Sequence, residues 1–370
     1  MRISNKNRIV IKVGSSLIAP EGNGCSSRYL LSIANFIVRC HLMDTKVVLV
    51  SSGSVAAGRS LFSDTPDKCG SVTLKKAMAA AGQTEMMDAW NKLFDFPTAQ
   101  LLLTQYDFQQ HERFLSIRET IENLLNNDIL PIVNENDAVT TDVSKVGDND
   151  NLSAMVASAV AADALIICSD VTGLYDADPR NNPDATLIKD VNSISPELMA
   201  MAGGAGSGVG TGGMRTKLEA ARKATQRGIP TVIMNGYDEN GFNELLQGNN
   251  PGTLFHPATS PLDKKQHWLT YGAKARGELV ISEHAAAEAE GGKFHLDYKD
   301  IVDVNGEFTA GDTIIVKNEQ GEHIAKAKAE RGSCLLQFLV NNENNQELKG
   351  AKYNEFRQVL NKKEMTLLEE

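Results

Sequence analysis

Short runs of β-branched and aliphatic residues recur up to about position 257: "RIVIKVG" (8–14), "KVVLVSSG" (46–53), "TAQLLLT" (98–104), "DILPIVNEN" (128–136), "ALIICSD" (164–170) and "IPTVIMNG" (229–236). Most are apolar on both alternating faces, as strands covered on both sides of a sheet must be. Helical periodicity fills the gaps. Residues 27–43 place Leu30, Leu31, Ala34, Ile37, Val38 and Leu42 on one stripe, and residues 111–127 do the same with Phe114, Ile117, Ile121, Leu124 and Leu125. Strands alternating with helices predict right-handed βαβ units, hence an α/β fold with a largely parallel sheet. Ligands of such sheets gather beyond the carboxyl ends of the strands.

The texture then changes. "NNPGTLFHPATSPLDKKQHWL" (249–269) carries three prolines, and short strands with turns follow in "GELVIS" and "DIVDVNGEFTAGDTIIVKNEQGEHIAKAKA". Asn305-Gly306 and Ala310-Gly311 are hairpin-type punctuation. This predicts a catalytic domain over 1–258, a linker over 259–275 and a small β-rich domain over 276–360. The acidic end, "EMTLLEE", is expected to fray. "MAGGAGSGVGTGGM" is the only low-complexity stretch, and no internal repeat is present.

Composition narrows the class. A chain of 370 residues suits two domains, and its 42% hydrophobic and 23% charged content is that of a globular protein. A net charge of -10 argues against nucleic-acid binding through bulk charge. Five scattered cysteines form no C-x-x-C pair and read as reduced thiols, with neither a disulfide framework nor a zinc site. The start, "MRISNKNRIVIKVGSS", has a charge inside its apolar run and is no signal peptide, and no stretch is long enough to cross a bilayer. A cytoplasmic location without membrane contact is expected.

Candidate chemistry sits where the strands end. Lys12 is unusual in a buried strand, and Gly14 with Ser15 and Ser16 follows it. Glycine lets backbone N–H groups approach an anion, and a lysine adds charge; a lysine snorkelling from an edge strand is the plain alternative. "VSSGSVAAG" repeats the Ser/Gly pattern before a helix, as an anion cradle or as a simple serine N-cap. "NENDAV" sets Asn134, Glu135, Asn136 and Asp137 at the fourth strand's end, where Asp137 could take an ammonium group. The fifth strand ends at Ser169 and Asp170.

The glycine run fails known spacings. Gly208, Gly210 and Gly213 satisfy G-x-G-x-x-G, but no strand precedes them and no acid follows at the right distance. Met214-Arg215 stands where a P-loop needs Lys-Ser/Thr. What remains is a loop feeding the helix "GMRTKLEAARKATQRG", with Lys217 in its first turn, an arrangement suited to polyphosphate. No H-x-H, H-E-x-x-H or G-x-S-x-G motif is present. Two lysines, glycine turns and clustered acids favour phosphoryl transfer by positioning and charge neutralisation.

"KVGDNDNLSA" (145–154) invites a calcium loop, but Leu152 falls where a third ligand is needed. Opening an apolar helix, the cluster reads better as a clasp for an amino acid: carboxylate on amides and Asn149, ammonium near Asp137 or Asp150, with Asp148 holding the lysines. No residue is expected to ligate a metal directly.

"KVGSS", "SSGSVAAGR", "HERFLSIRET", "PIVNENDAV", "KVGDNDNLSA", "SDVTGLYDADPR" and "GTGGMRTKLEAA" occur in one order over residues 8–257. This order closely resembles the glutamate 5-kinases of the amino-acid kinase superfamily, and the tail resembles a PUA domain. The resemblance implies a three-layer α/β/α sandwich and ATP-dependent phosphorylation of the L-glutamate side-chain carboxylate, the first step towards proline. It also implies dependence on Mg²⁺, feedback inhibition by proline, and a homo-oligomer, dimer or tetramer. By the same resemblance Lys12 and Lys217 match lysines at the transferred phosphate. Ser52, Asp137 and Asn149 match glutamate-binding positions. Asp148 and Asp150 match acids that orient lysines and bind substrate. Ser169, Asp170, Thr211, Gly212, Gly213, Met214, Arg215, Thr216 and Lys217, with Lys12, match nucleotide-binding positions. Ser169 stands where related enzymes often have threonine, which keeps a hydroxyl. RNA binding is not carried over, because "EHAAAEAEGGKFHLD" and "NNENNQELKG" do not suit an RNA surface. Two alternatives compete: a kinase of the same superfamily acting on another acceptor, and an RNA-binding protein on a degenerate kinase fold.

Overall fold

The computed structural model describes residues 3–22, 24–62, 71–140, 148–202, 213–291, 296–341, 358–360 and 364–368. Internal contacts divide the chain into two units, Met1–Phe108 with Glu112–Pro261, and Gln109–His111 with Leu262–Glu370.

In the first unit every expected strand forms: β1 (Arg8–Val13), β2 (Lys46–Ser51), β3 (Thr98–Leu103), β4 (Leu130–Glu135), β5 (Ala164–Ser169) and β7 (Thr231–Asn235). Two short strands, β6 (Asp190–Val191) and β8 (Thr253–Phe255), complete an eight-stranded sheet of order β3-β4-β2-β1-β5-β7-β8-β6. All neighbours run parallel except β7 and β8. No helix among the described residues is long and apolar enough to cross a membrane.

The helices lie on both faces. They are α1 (Ser15–Ile18), α2 (Leu30–Leu42), α3 (Ser54–Gly58), α4 (Val72–Asn91) and α5 (Gln105–Gln109), then α6 (His111–Asn126), α7 (Asn149–Ala159), α8 (Pro196–Met201), α9 (Met214–Gln226) and α10 (Glu239–Gln247). Strand alternation assigns the faces. Ile9, Ile11 and Val13 of β1 pack into one core with Phe36 of α2, Trp90 of α4 and Phe242 of α10. Val10 and Lys12 point the other way, to the side where α7 packs on β1 and on α9. Each large side chain buried in this way contributes about 1.5–3 kcal/mol. The result is the three-layer α/β/α sandwich.

Two local features set backbone positions near the strand ends. Gly53 has φ +106°, and a Cβ there would lie 2.8 Å from the Ile18 side chain. Only glycine takes this turn cheaply, and Gly53 rather than a serine is the N-cap of α3. Helices α3 and α4 cross in backbone contact: a Cβ on Gly82 would lie 2.0 Å from the Ser54 carbonyl oxygen and 2.2 Å from the Gly58 nitrogen.

The second unit has a mostly antiparallel sheet of β9 (Gly277–Ile281), β11 (Ile301–Asn305), β12 (Thr313–Lys317), β13 (His323–Lys328) and β15 (Met365–Leu367), in the order β11-β9-β12-β13-β15. A separate pair joins β10 (Leu296–Asp297) to β14 (Gln358–Leu360). Leu279, Ile281, Ile314 and Val316 form its core with Ala286 of α12 (Glu283–Glu290) and Leu336 of α13 (Ser333–Asn341). Residues expected as linker include α11 (Lys264–His267), closed by an Asp263 capping box, and a π-helical turn at Trp268–Gly272. The half-buried Lys326 ammonium donates to the Thr270 and Ala273 carbonyls, satisfying acceptors in and just after that turn.

Two expectations are corrected here. Gly306 and Gly311 do take positive φ, but the Asn305-Gly306 and Ala310-Gly311 turns do not join paired strands, because β9 lies between β11 and β12. The true hairpin is β12–β13, turning at Gly321. The acidic end does not fray from its start either: Met365 and Thr366 are buried, and Met365–Leu367 pair with Ala325–Ala327. Burial of Met365 and Thr366 and pairing with β13 outweigh the charge of the flanking glutamates.

Candidate active site

The sheet order places β1 between β2 and β5, so the chain winds away from β1 in two directions. Sheets of this kind bind ligands at such a point, beyond the carboxyl ends of the strands. In register, Val13 has Ser51 on one side and Cys168 on the other. The Ser52 N–H donates to the Val13 carbonyl (3.0 Å) and the Gly14 N–H to the Cys168 carbonyl (3.2 Å). Lys12, Ser52 and Ser169 therefore line one edge, and all three are buried. The Ser169 hydroxyl donates to Asp170 (3.0 Å).

Helix α7 supplies the centre. It buries every residue from Asn149 to Ala159 except Asn151, so its polar first turn is driven inward with its apolar body. Asp150, 2% exposed, meets Lys12 Nζ at 2.6 Å and Lys217 Nζ at 3.3 Å, one lysine on each carboxylate oxygen. The Thr216 hydroxyl adds a bond of 2.7 Å to the second oxygen. Lys217 reaches this point because α9 packs closely on α7 through its alanines Ala220, Ala221 and Ala224. Burial alone would raise the Asp150 carboxyl, but the Lys12 and Lys217 charges hold it well below the usual carboxylate range. Lys12 is lowered, first by burial and also by Lys217, with Asp150 opposing both.

Of the two acids expected to orient lysines, Asp150 makes the ion pairs, and Asp148 acts on Lys12 only through its charge. Asp148 is the N-cap of α7, accepting from the Asn151 N–H (3.2 Å) and side-chain amide (2.8 Å). Asp150, two residues on and turned toward the sheet by the helix, takes both lysines instead of facing an ammonium group.

Asn149 and Asp137 meet around the end of β4. The Glu135 N–H donates to Asn149 Oδ1 (3.0 Å), and Ser54 Oγ donates to Asp137 (3.3 Å). Both residues are buried. Gln83 and Asn134, joined at 2.8 Å, lie beside them, and Gln83 Nε2 and Asn134 Oδ1 have no partner among the described residues. Of the proposed nucleotide positions, Gly213 caps α9 and Met214 begins it. The Arg215 side chain is exposed and paired with Glu219 (3.3 Å). Thr211 and Gly212 lie outside the described residues, as do Lys145, Val146 and Gly147. Burial pushes the Cys168 thiol up to about 12, so it is no nucleophile.

Gln83 and Thr140 carry no signal in the sequence as site residues, and Ser54 shows only as part of the "VSSGSVAAG" motif. They sit on elements whose own pattern is complete without them, and only the α3–α4 crossing and the turn after β4 bring them in.

The sequence profile of the amino acid kinase family matches residues 7–235. "Glutamate 5-kinase 1" of Pseudoalteromonas translucida is 53% identical over 99% of this chain and 98% of its own length. The chain belongs to the glutamate 5-kinases. A glutamate 5-kinase of Idiomarina loihiensis is 47% identical over the full length of both, and one of Salinibacter ruber is 43% identical over 90% of this chain and 89% of its own. Coverage beyond residue 235 means that both units belong to the shared glutamate 5-kinase sequence. The lysine–aspartate–lysine cluster lies within the family profile.

Proposed function

We propose that this glutamate 5-kinase transfers the γ-phosphoryl group of ATP to the side-chain carboxylate of L-glutamate, giving L-glutamate 5-phosphate and ADP, the first step of L-proline biosynthesis. One observation carries the mechanism: two lysines from opposite ends of the domain converge on the single buried Asp150. A glutamate carboxylate oxygen attacks the γ-phosphorus, the new O–P bond forms as the β,γ-bridging O–P bond breaks, and the electron pair leaves with ADP. The nucleophile is already ionised at neutral pH, so no general base is needed. The difficulty is bringing two anions together. Lys12 and Lys217, oriented by Asp150, offset that repulsion and the charge spread over the transferring oxygens.

Asn149 spends its oxygen on the Glu135 N–H, which leaves its amide NH₂ to donate to a substrate carboxylate. Asp137 takes the substrate ammonium, and Ser52 adds a hydroxyl at the same edge. Ser169, Asp170 and the segment from Thr211 to Lys217 hold the nucleotide. Mg²⁺ carried by the ATP phosphates would neutralise part of their charge during transfer. From the motif resemblance come three further parts of this reading: inhibition by proline, assembly as a dimer or tetramer, and work in the cytoplasm. So does the division into a kinase domain (1–258), a linker (259–275) and a PUA-like domain (276–360).

Incubation with Mg-ATP, hydroxylamine and each candidate acceptor tests the reaction. The expected result is a hydroxamate and ADP with glutamate. Product with acetylglutamate, aspartate or carbamate but none with glutamate would overturn it, and retention of labelled tRNA on a filter at physiological salt would favour the RNA-binding alternative.

A further inference from the structure

Glu135 ends β4 in the middle of the glutamate clasp, 5% exposed, and the transfer step makes no use of its carboxyl. Its Oε1 lies 2.9 Å from Thr140 Oγ1, and the same hydroxyl lies 3.0 Å from the Asn136 carbonyl oxygen. A threonine hydroxyl has one proton, and a carbonyl can only accept. If that proton goes to Asn136, the contact between Glu135 and Thr140 needs a second proton, which only the Glu135 carboxyl can bring. An ionised Glu135 would have to share that single proton with the Asn136 carbonyl in a three-centre bond, whereas a neutral Glu135 gives each of the two contacts a proton of its own.

The surroundings favour the neutral acid. Among the described residues the charged groups acting most on Glu135 are Asp137 in the turn after β4, Asp148 at the start of α7 and Asp107 of α5, all carboxylates. Asp107 is already paired with Arg113 (2.7 Å), and Lys12 and Lys217 are committed to Asp150. No ion pair among the described residues includes Glu135. Burial first, with Asp137, Asp148 and Asp107 adding to it, pushes the carboxyl up to about 8 even against a Thr140 hydroxyl donating to the ionised form; in the neutral form the Glu135 proton can make that bond instead.

We propose that Glu135 is a positioning residue held as the neutral acid, whose proton fastens Thr140, and with it the turn bearing Asp137, to the end of β4. The inference rests on the reading of Asp137 and Asn149 as the glutamate clasp. The backbone of Glu135 fixes Asn149 while its side chain fixes the turn of Asp137, so one residue sets both halves of the clasp. Loss of the proton unfastens the turn and adds an anion to a pocket that must admit a dicarboxylate.

The test is the pH dependence of the glutamate KM in wild type and in Glu135→Gln, whose amide can still donate to Thr140. In wild type the glutamate KM rises on the order of 10-fold between pH 7 and pH 9, while the ATP KM stays level. In Glu135→Gln the rise is absent and KM at pH 7 stays near the wild-type value. Identical profiles in the two proteins, with turnover intact, would overturn the role of Glu135 and leave the kinase reading standing. Absence of glutamate-dependent ADP in wild type would overturn the kinase reading itself. Should Glu135→Gln fail to fold, infrared difference spectra of wild type between pH 7 and pH 9 decide. A buried carboxylic acid carbonyl band lost on the alkaline side supports the proposal, and its absence at pH 7 overturns it.

Discussion

Lys12 of β1 and Asp150 of α7 meet at 2.6 Å between Nζ and Oδ1, both buried, and Lys217 of α9 closes on the other oxygen of the same carboxylate. Three elements distant in sequence are thus tied at one charged point. A buried charge that loses its partner is costly, so this point should govern stability and turnover together.

Asp150→Ala removes the carboxylate that two buried ammonium groups share. It should cost about 3–5 kcal/mol of stability and lower kcat on the order of 100-fold. Asp148→Ala removes only a cap, at about 1 kcal/mol, and leaves the lysine pairs in place. Denaturant titration and steady-state kinetics of the two variants check the contrast; equal losses would contradict the assignment of the lysines to Asp150.

Lys217→Ala keeps the Lys12–Asp150 pair, so the fold should persist by circular dichroism. Its kcat should fall on the order of 100-fold or more if the lysine neutralises charge in the transition state. Unchanged turnover would remove Lys217 from the reaction.

Asp137→Asn keeps the shape of the clasp and removes its negative charge. The glutamate KM should rise on the order of 10-fold or more, with the ATP KM within about twofold. A parallel rise in both constants would place Asp137 outside a glutamate-specific role.

Gly82→Ala forces a methyl group against the Ser54 carbonyl at the α3–α4 crossing. Overpacking of this kind costs about 1–3 kcal/mol. Because Ser54 donates to Asp137, the glutamate KM should rise as well. Thermal melts and substrate titrations measure both effects; a variant as stable as wild type would show that the crossing relaxes without strain.

Glu135 also makes stability depend on pH. Its folded pKa, about 8, lies above its ordinary value of 4.5, so the folded state binds the proton more tightly than the unfolded chain. That contribution is complete below about pH 4.5, declines as pH rises, and is lost through pH 8. The urea midpoint of wild type relative to Glu135→Gln should therefore fall from pH 5 to pH 8 and level off above it. A difference constant over that range would mean that Glu135 ionises normally.

The sequence by itself determined six of the eight strands of the main sheet and the strand ends that carry chemistry, and its motif resemblance implied the three layers. Strand and helix periodicities are local, and "RIVIKVG" or "NLSAMVASAVAA" can bury its apolar atoms in few other ways. It also placed Lys12, Asp137, Asn149, Asp150 and Lys217 among the candidates. Tertiary structure alone decided which acid meets which base. Asp148 and Asp150 stand two residues apart in a run of similar side chains, and only the rotation of α7 against β1 and α9 turns one inward and leaves the other as a cap. The same holds for Glu135, an ordinary glutamate in the motif "NENDAV". Its proton is set by a threonine hydroxyl, a carbonyl and three carboxylates that the fold brings around it.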